Sequence, residues 1–342
     1  MTGILGVTVP FFALVGCGWL AARLALLAPQ AVPALNAFVL WFALPAMLLR
    51  FAARTPFATL ADPAVFGTYA ASGLVVLGLT LAGLRWAAGE GWRDAALGAL
   101  SASWSNWGYM GFALIPALLG ARALAPLIAA AVADLLIVVS AALAVASREG
   151  RSPEPCWRAL TGAAAGMGRN PLVWAIAAGA TLSAFTSLRG SAALPLWLEA
   201  AAGLGDRLLA LLGTAAGPVA LFAMGAALHR PGEAAAHRPG EAAAPSGRPV
   251  APRSAMPIIV ATKLLVHPLA TWTIARHLFA LSQEAASALT LMAALPAAGT
   301  AFLFAERHGA DAARAATAIL LSTVAAFATF PAFAALLLRP GA

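Results

Sequence analysis

Charge is what this sequence has least of. Aspartate, glutamate, lysine and arginine make up 10% of its 342 residues, against about 25% in an ordinary soluble domain. Hydrophobic residues make up 62% and mean hydropathy is +0.86. A chain so poor in ionic side chains cannot cover a water-facing surface, which excludes a soluble globular protein and points to an integral membrane protein. Cysteine is scarce too: Cys17 and Cys156 are too few for a disulfide framework or a Cys-ligated metal site. Paired intramembrane carboxylates, an HExxH helix, a Ser/His pair on facing segments and an acid-rich diphosphate motif are also missing. No enzyme is therefore expected, and without a nucleotide-binding motif ATP does not drive the protein directly.

The first sixteen residues hold no lysine or arginine, whereas a signal peptide needs a positive n-region. Leu14-Val15-Gly16-Cys17, which superficially matches a lipoprotein processing site, is therefore read as part of a retained first spanning helix. The net charge of +8 and pI near 11.1 would suggest nucleic acid in a soluble protein. Here the arginines sit in short breaks between apolar runs, where they set topology, and no nucleic-acid partner is expected.

Apolar runs of about 20 residues, enough to cross a bilayer core, recur at roughly 4–27, 33–53, 64–87, 95–119, 123–147, 171–188, 204–228, 255–279, 285–306 and 312–338. Between the sixth and seventh runs, Pro195-Leu196-Trp197 reads as an interfacial segment. The expected fold is all-α and polytopic, with about ten transmembrane helices. Residues 1–147 form a first five-helix unit, 148–170 a hydrophilic cytoplasmic connector, and 171–342 a second five-helix unit. The loop at 229–254 carries HRPGEAAA twice, with His229 and His237 eight residues apart, and has no apolar face to pack, so disorder rather than a metal site is expected there. With the N-terminus outside, thirteen arginines fall on the cytoplasmic side against seven on the other. This places both termini on the non-cytoplasmic side of the cell's inner membrane. An odd number of spans per half inverts the second half relative to the first, the arrangement of many secondary transporters.

Two runs are interrupted, each the fourth of its half. Ser101 to Gly120 reads SASWSNWGYMGFALIPALLG, and Leu291 to Gly309 reads LMAALPAAGTAFLFAERHG. Gly108, Gly111 and Pro116 in the first, and Pro296 and Gly299 in the second, imply backbone freed from its own helix. A membrane interior tolerates that only beside a cavity. Pro116 and Pro296 mark the expected breaks. Asn106 is the leading candidate for substrate contact, because its amide both donates and accepts. Thr300 is its counterpart on the other run, although threonine often bonds back to its own helix. Tyr109, Trp104 and Trp107 are candidate lining residues. Asp134 lies mid-span, where a carboxylate is expensive. It is read as a proton- or cation-coupling group or as a structural carboxylate. Lys263, with His267 one turn on along the same face, either attracts an anion or snorkels to the surface. Glu306 beside Arg307 reads as a solvated helix end. No metal site is expected, and no cofactor, with coupling to a proton or sodium gradient left open.

The sequence resembles the auxin efflux carrier family, which contains plant auxin efflux facilitators and bacterial malonate transporter-like permeases. FVLWFALPAMLLRFAA, NWGYMG, GPVALFAMGAAL, ATKLLVHPLATW, ALPAAGTAFLFAERHG and AILLSTVAAFATFPA carry the resemblance by their order and spacing, through almost the entire chain. It implies ten helices in two inverted five-helix repeats, with the fourth and ninth broken and crossing at a central site. It further implies a transport part moving against a scaffold, often in a homodimer. The implied substrates are organic anions with one or two carboxylates, moved across the lipid bilayer by alternating access, with Asn106 contacting the substrate. The chain departs from the family pattern at Ala113 and at Thr300. The family usually has proline at the first position and asparagine at the second, which bears on substrate identity more than on fold. A sodium-coupled bile-acid-type symporter and a non-transporting membrane receptor are the alternative readings.

Overall fold

The computed structural model describes residues 2–28, 30–60, 62–149, 171–189, 195–229 and 255–338. The expected connector and duplicated loop, with Cys156 and His237, lie almost entirely outside them. The described elements are helices. The longer ones, in chain order, are α1 (Thr2–Arg23), α2 (Ala31–Arg54), α3 (Pro63–Ala87), α4 (Trp92–Ser103), α5 (Trp107–Leu119), α6 (Ala121–Ala146), α7 (Pro171–Arg189), α8 (Leu196–His229), α9 (Ala255–Leu278), α10 (Gln283–Ala293), α11 (Thr300–Arg307) and α12 (Ala312–Leu337). Eight of these, α1, α2, α3, α6, α7, α8, α9 and α12, are long and apolar enough to cross a membrane.

Local chemistry fixes the ends and the irregularities. Asp62 caps α3 by accepting from the amides of Ala64 and Val65, Ser282 caps α10 through Ala285 N, and Asp311 caps α12 through Arg314 N. Each occupies a first-turn donor that would otherwise be orphaned. In α2 and α9, a π turn (Val39–Ala43 and Thr262–Val266) runs into Pro45 or Pro268. A proline has no N–H for the carbonyl four residues back and crowds it, so the preceding turn widens. α8 differs from its sequence expectation. Glu199 N donates to Pro195 O, which starts the helix at Leu196, so Leu196 and Trp197 form its first turn rather than a separate interfacial segment. At 34 residues the helix is about 51 Å long, well beyond a core about 30 Å thick.

The helices pack in two groups. α8 runs along α1 and α2, and α7 along α2. In the other group, α3 packs on α4, α6 and α9, α4 on α6 and α12, and α9 on α10. The closest approach in the first group is α1 against α8. A Cβ at Gly18 would stand 1.9 Å from the Phe222 carbonyl oxygen, and one at Gly225 would stand 1.9 Å from that of Val15. The missing side chains let two backbones touch, the usual way membrane helices gain contact where lipid is as apolar as leucine. The groups meet where α1 and α8 lie against α5, and where α1 lies against α12.

Candidate functional site

The two interrupted runs meet. α4 ends at Ser103 and α5 begins at Trp107, while α10 ends at Ala293 and α11 begins at Thr300. Between those ends the two backbones pair as a short antiparallel bridge, Ser105 opposite Ala297. Asn106 N donates to Pro296 O at 2.9 Å and Ala298 N to Trp104 O at 3.0 Å. Ala297 N donates to the Ser322 hydroxyl of α12 at 3.1 Å. Backbone released from a helix at this depth has to find partners within the protein, and here each break supplies the other's.

The causes of the two breaks differ. Pro296 removes a donor and ends α10. In the first run no proline sits at the break. Asn106 leaves helical geometry at φ −78°, ψ 56° and caps α5 through its Oδ1, which accepts from Tyr109 N at 3.4 Å. Pro116, expected to mark this break, instead lies inside Phe112–Leu119, half-buried. A side-chain cap, not a ring clash, sets the break there.

The glycines divide in the same way. A Cβ at Gly108 or Gly299 would meet nothing within 4 Å, whereas one at Gly111 would press on Leu295 and Trp107. Gly108 and Gly299 therefore leave backbone approachable at the start of α5 and α11, while Gly111 makes room for packing. Tyr109 and Thr300 are half-buried beside them. Trp104 sets its ring edge against Phe304 at 5.4 Å, and Trp107 against Phe112 at 5.8 Å.

Behind the bridge lies a layer of fully buried polar side chains. Lys263 is 0% exposed, so it does not snorkel. Its Nζ donates to Ser105 Oγ at 2.6 Å and to Ala293 O at 3.1 Å, and lies 3.0 Å from His267 Nδ1. The Tyr69 hydroxyl shares Ser105 Oγ at 3.0 Å, and its ring lies 5.7 Å from the His267 imidazole. One ammonium thus ties both interrupted runs to α9, through a side chain of the first and a carbonyl at the end of α10. Asp134, at the start of a π turn in α6, is buried within electrostatic reach of Lys263. It faces the Ser105 amide and the Trp107 indole, neither at hydrogen-bonding geometry.

At the far end of α4, Arg314 of α12 pairs with Glu90 and donates to the Asp94 carbonyl. The Asp94 carboxylate accepts from Asp311 N at 2.9 Å. Burial pushes the Glu90 carboxyl above its ordinary value, and the Arg314 guanidinium pulls it part of the way back. Gly98 leaves the space for that guanidinium, 3.2 Å from where a Cβ would stand.

The structure therefore brings together Asn106, Pro296, Lys263, His267 and Asp134, with Gly108, Tyr109, Gly299 and Thr300 around the same two helix starts. Glu306 is exposed at the end of α11. Sequence reasoning missed Tyr69, Ser105, Ser322 and Met224. Ser105 adjoins Asn106, and Tyr69 is one of only two tyrosines; their value lies in partners from distant segments, which spacing does not show. No group of three or more potential metal ligands occurs among the described residues.

Over 330 residues the chain is 28% identical to a protein of Rhizobium meliloti (strain 1021) named "Putative malonate transporter", covering 96% of this chain and 94% of that one. The family model described as "Membrane transport protein" matches residues 4–334. With eight membrane-length helices and a match over nearly its whole length, the chain is a multi-pass membrane protein and belongs to the membrane transport protein family, that of the auxin efflux carriers.

Proposed function

We propose that the protein is a secondary transporter of small organic anions carrying one or two carboxylates, malonate-like, working by alternating access where the two interrupted runs meet. The observation that carries this reading is the paired breaks with Lys263 sealed behind them. Two helices start there, α5 and α11, each with the positive end of its dipole at that start. The one lysine of the chain places its amine just beneath. A carboxylate finds there donors and positive potential without a mobile cation.

In this reading α4–α5 and α10–α11 are the broken fourth and ninth members of two inverted five-helix repeats and cross at the site. α1, α2, α7 and α8 form the scaffold against which the other helices move. Asn106 donates to the substrate, and Gly108 and Gly299 let it reach backbone. Tyr109, Gly111, Pro116, Pro296 and Thr300 shape the pocket, while Asp134, Lys263 and His267 set its charge. The protein lies in the inner membrane with both termini on the non-cytoplasmic side, as a homodimer.

The test is uptake of radiolabelled malonate, and of a series of other mono- and dicarboxylates, into proteoliposomes with and without imposed proton or sodium gradients. Uptake lost in Asn106→Ala, with protein abundance unchanged, supports transporter and site together. Saturable binding in detergent without accumulation in vesicles refutes transport. Uptake that persists in Asn106→Ala moves the site elsewhere.

A further inference from the structure

The Asn106 carboxamide has its oxygen committed to Tyr109 N. Its nitrogen points the other way, out of the broken run and toward α8, where Nδ2 meets the thioether sulfur of Met224 at 2.9 Å. Both residues are buried, Asn106 at 2% and Met224 at 7% exposure. Around Met224, Ala216, Ala220, Leu221, Ala223 and Ala226 of α8 are buried, and Gly225 lies against α1. Met224 is the side chain by which α8 meets the Asn106 amide nitrogen.

A thioether is a weak acceptor. It spares the amide the penalty of a buried donor without a partner, yet holds it far less firmly than a carboxylate oxygen, whose hydrogen bonds are charge-assisted. Methionine also has three rotatable bonds on which to swing away.

We infer that Met224 is a displaceable stand-in for the substrate. Its sulfur occupies the position on Asn106 that a carboxylate oxygen takes when substrate binds, and its departure unlinks α8 from the broken run. Met224 is thus a positioning residue that sets apparent affinity through Asn106. This rests on the proposal that Asn106 contacts an anionic substrate.

Two substitutions separate this role from simple packing. Met224→Leu keeps the bulk and removes the acceptor, so the carboxylate loses its competitor for Asn106 and its KM falls about two- to tenfold. Met224→Gln supplies an amide oxygen that holds Asn106 more firmly, so KM rises by a similar factor. Packing alone predicts no such opposite movement.

The companion measurement is the methyl resonance of Met224 in protein labelled with 13C-methyl methionine, titrated with malonate, acetate and succinate in turn. Asn106→Ala marks the released position of that signal. Opposite KM shifts, with the resonance moving toward the released position, support the inference. Normal transport with KM unmoved in both variants overturns it and leaves the transporter reading intact. A carboxylate that moves the resonance without being transported supports the inference and refutes transport. Neither transport nor a shift with any of the three overturns both.

Discussion

Replacing Lys263 by methionine removes the ammonium from a site that is 0% exposed and leaves four groups without it: Ser105 Oγ, His267 Nδ1, Ala293 O and the Asp134 carboxylate. The two neutral acceptors lose a charge-assisted hydrogen bond each, worth about 1.5–3 kcal/mol at most per bond. Stripping one partner from a buried charge pair costs about 3–5 kcal/mol. These figures overlap rather than add, and the single variant is expected to lose about 4 kcal/mol of stability. Asp134→Asn should lose less, because Lys263 keeps its bonds to Ser105 Oγ and Ala293 O. The informative variant is the double one. If Asp134 and Lys263 act as a pair, Lys263→Met with Asp134→Asn is more stable than the sum of the singles by about 1–3 kcal/mol. Unfolding by SDS from mixed micelles, followed by tryptophan fluorescence, measures all three. Additive losses would refute the view that these two residues form one buried electrostatic unit.

Gly18→Ala and Gly225→Ala each place a methyl group 1.9 Å from a facing carbonyl oxygen, and each should cost about 1–3 kcal/mol by forcing α1 from α8; the same SDS titration reads it. Ser105→Ala removes the hydroxyl shared by Tyr69 and Lys263; carboxylate uptake into proteoliposomes should fall at least tenfold while the yield of folded protein is kept. Folded Glu90 binds its proton more tightly than the ordinary value of 4.5, so its stabilising contribution is complete below that value. It is lost as pH rises through the raised value. Thermal melts across this range should show a downward slope with rising pH that Glu90→Gln abolishes.

Hydropathy was enough to find the runs that became helices, because twenty apolar residues in a row have few alternatives in a membrane. That two runs are interrupted was also legible, from glycine and proline. Where the first one breaks was not. Pro116 gave the stronger signal but is accommodated within α5, whereas Asn106 opens the helix by capping it, an effect that depends on one side-chain rotamer. Lys263 shows the same limit. Its position in α9 left surface and interior equally open. The choice was made by Ser105 and Ala293, 158 and 30 residues away in sequence, which no periodicity within α9 reveals. The long reach of α8 back to Leu196 was hidden because Pro195 and Glu199 interrupt the apolar pattern before the run at 204–228. Arg50 and Arg54 of α2 meet Asp206 at 2.8 Å each, and Glu199 N donates to Pro195 O, so α8 continues past the apolar run.

The burial of Lys263 also makes it a clock. It is the one lysine in the chain, and an amine-acylating reagent cannot reach a nitrogen held between Ser105, His267 and Ala293. Each acylation event at that nitrogen therefore records an occasion on which the paired breaks came apart. The rate of modification, read by the mass of one peptide, counts openings of the centre of the protein without any transport assay.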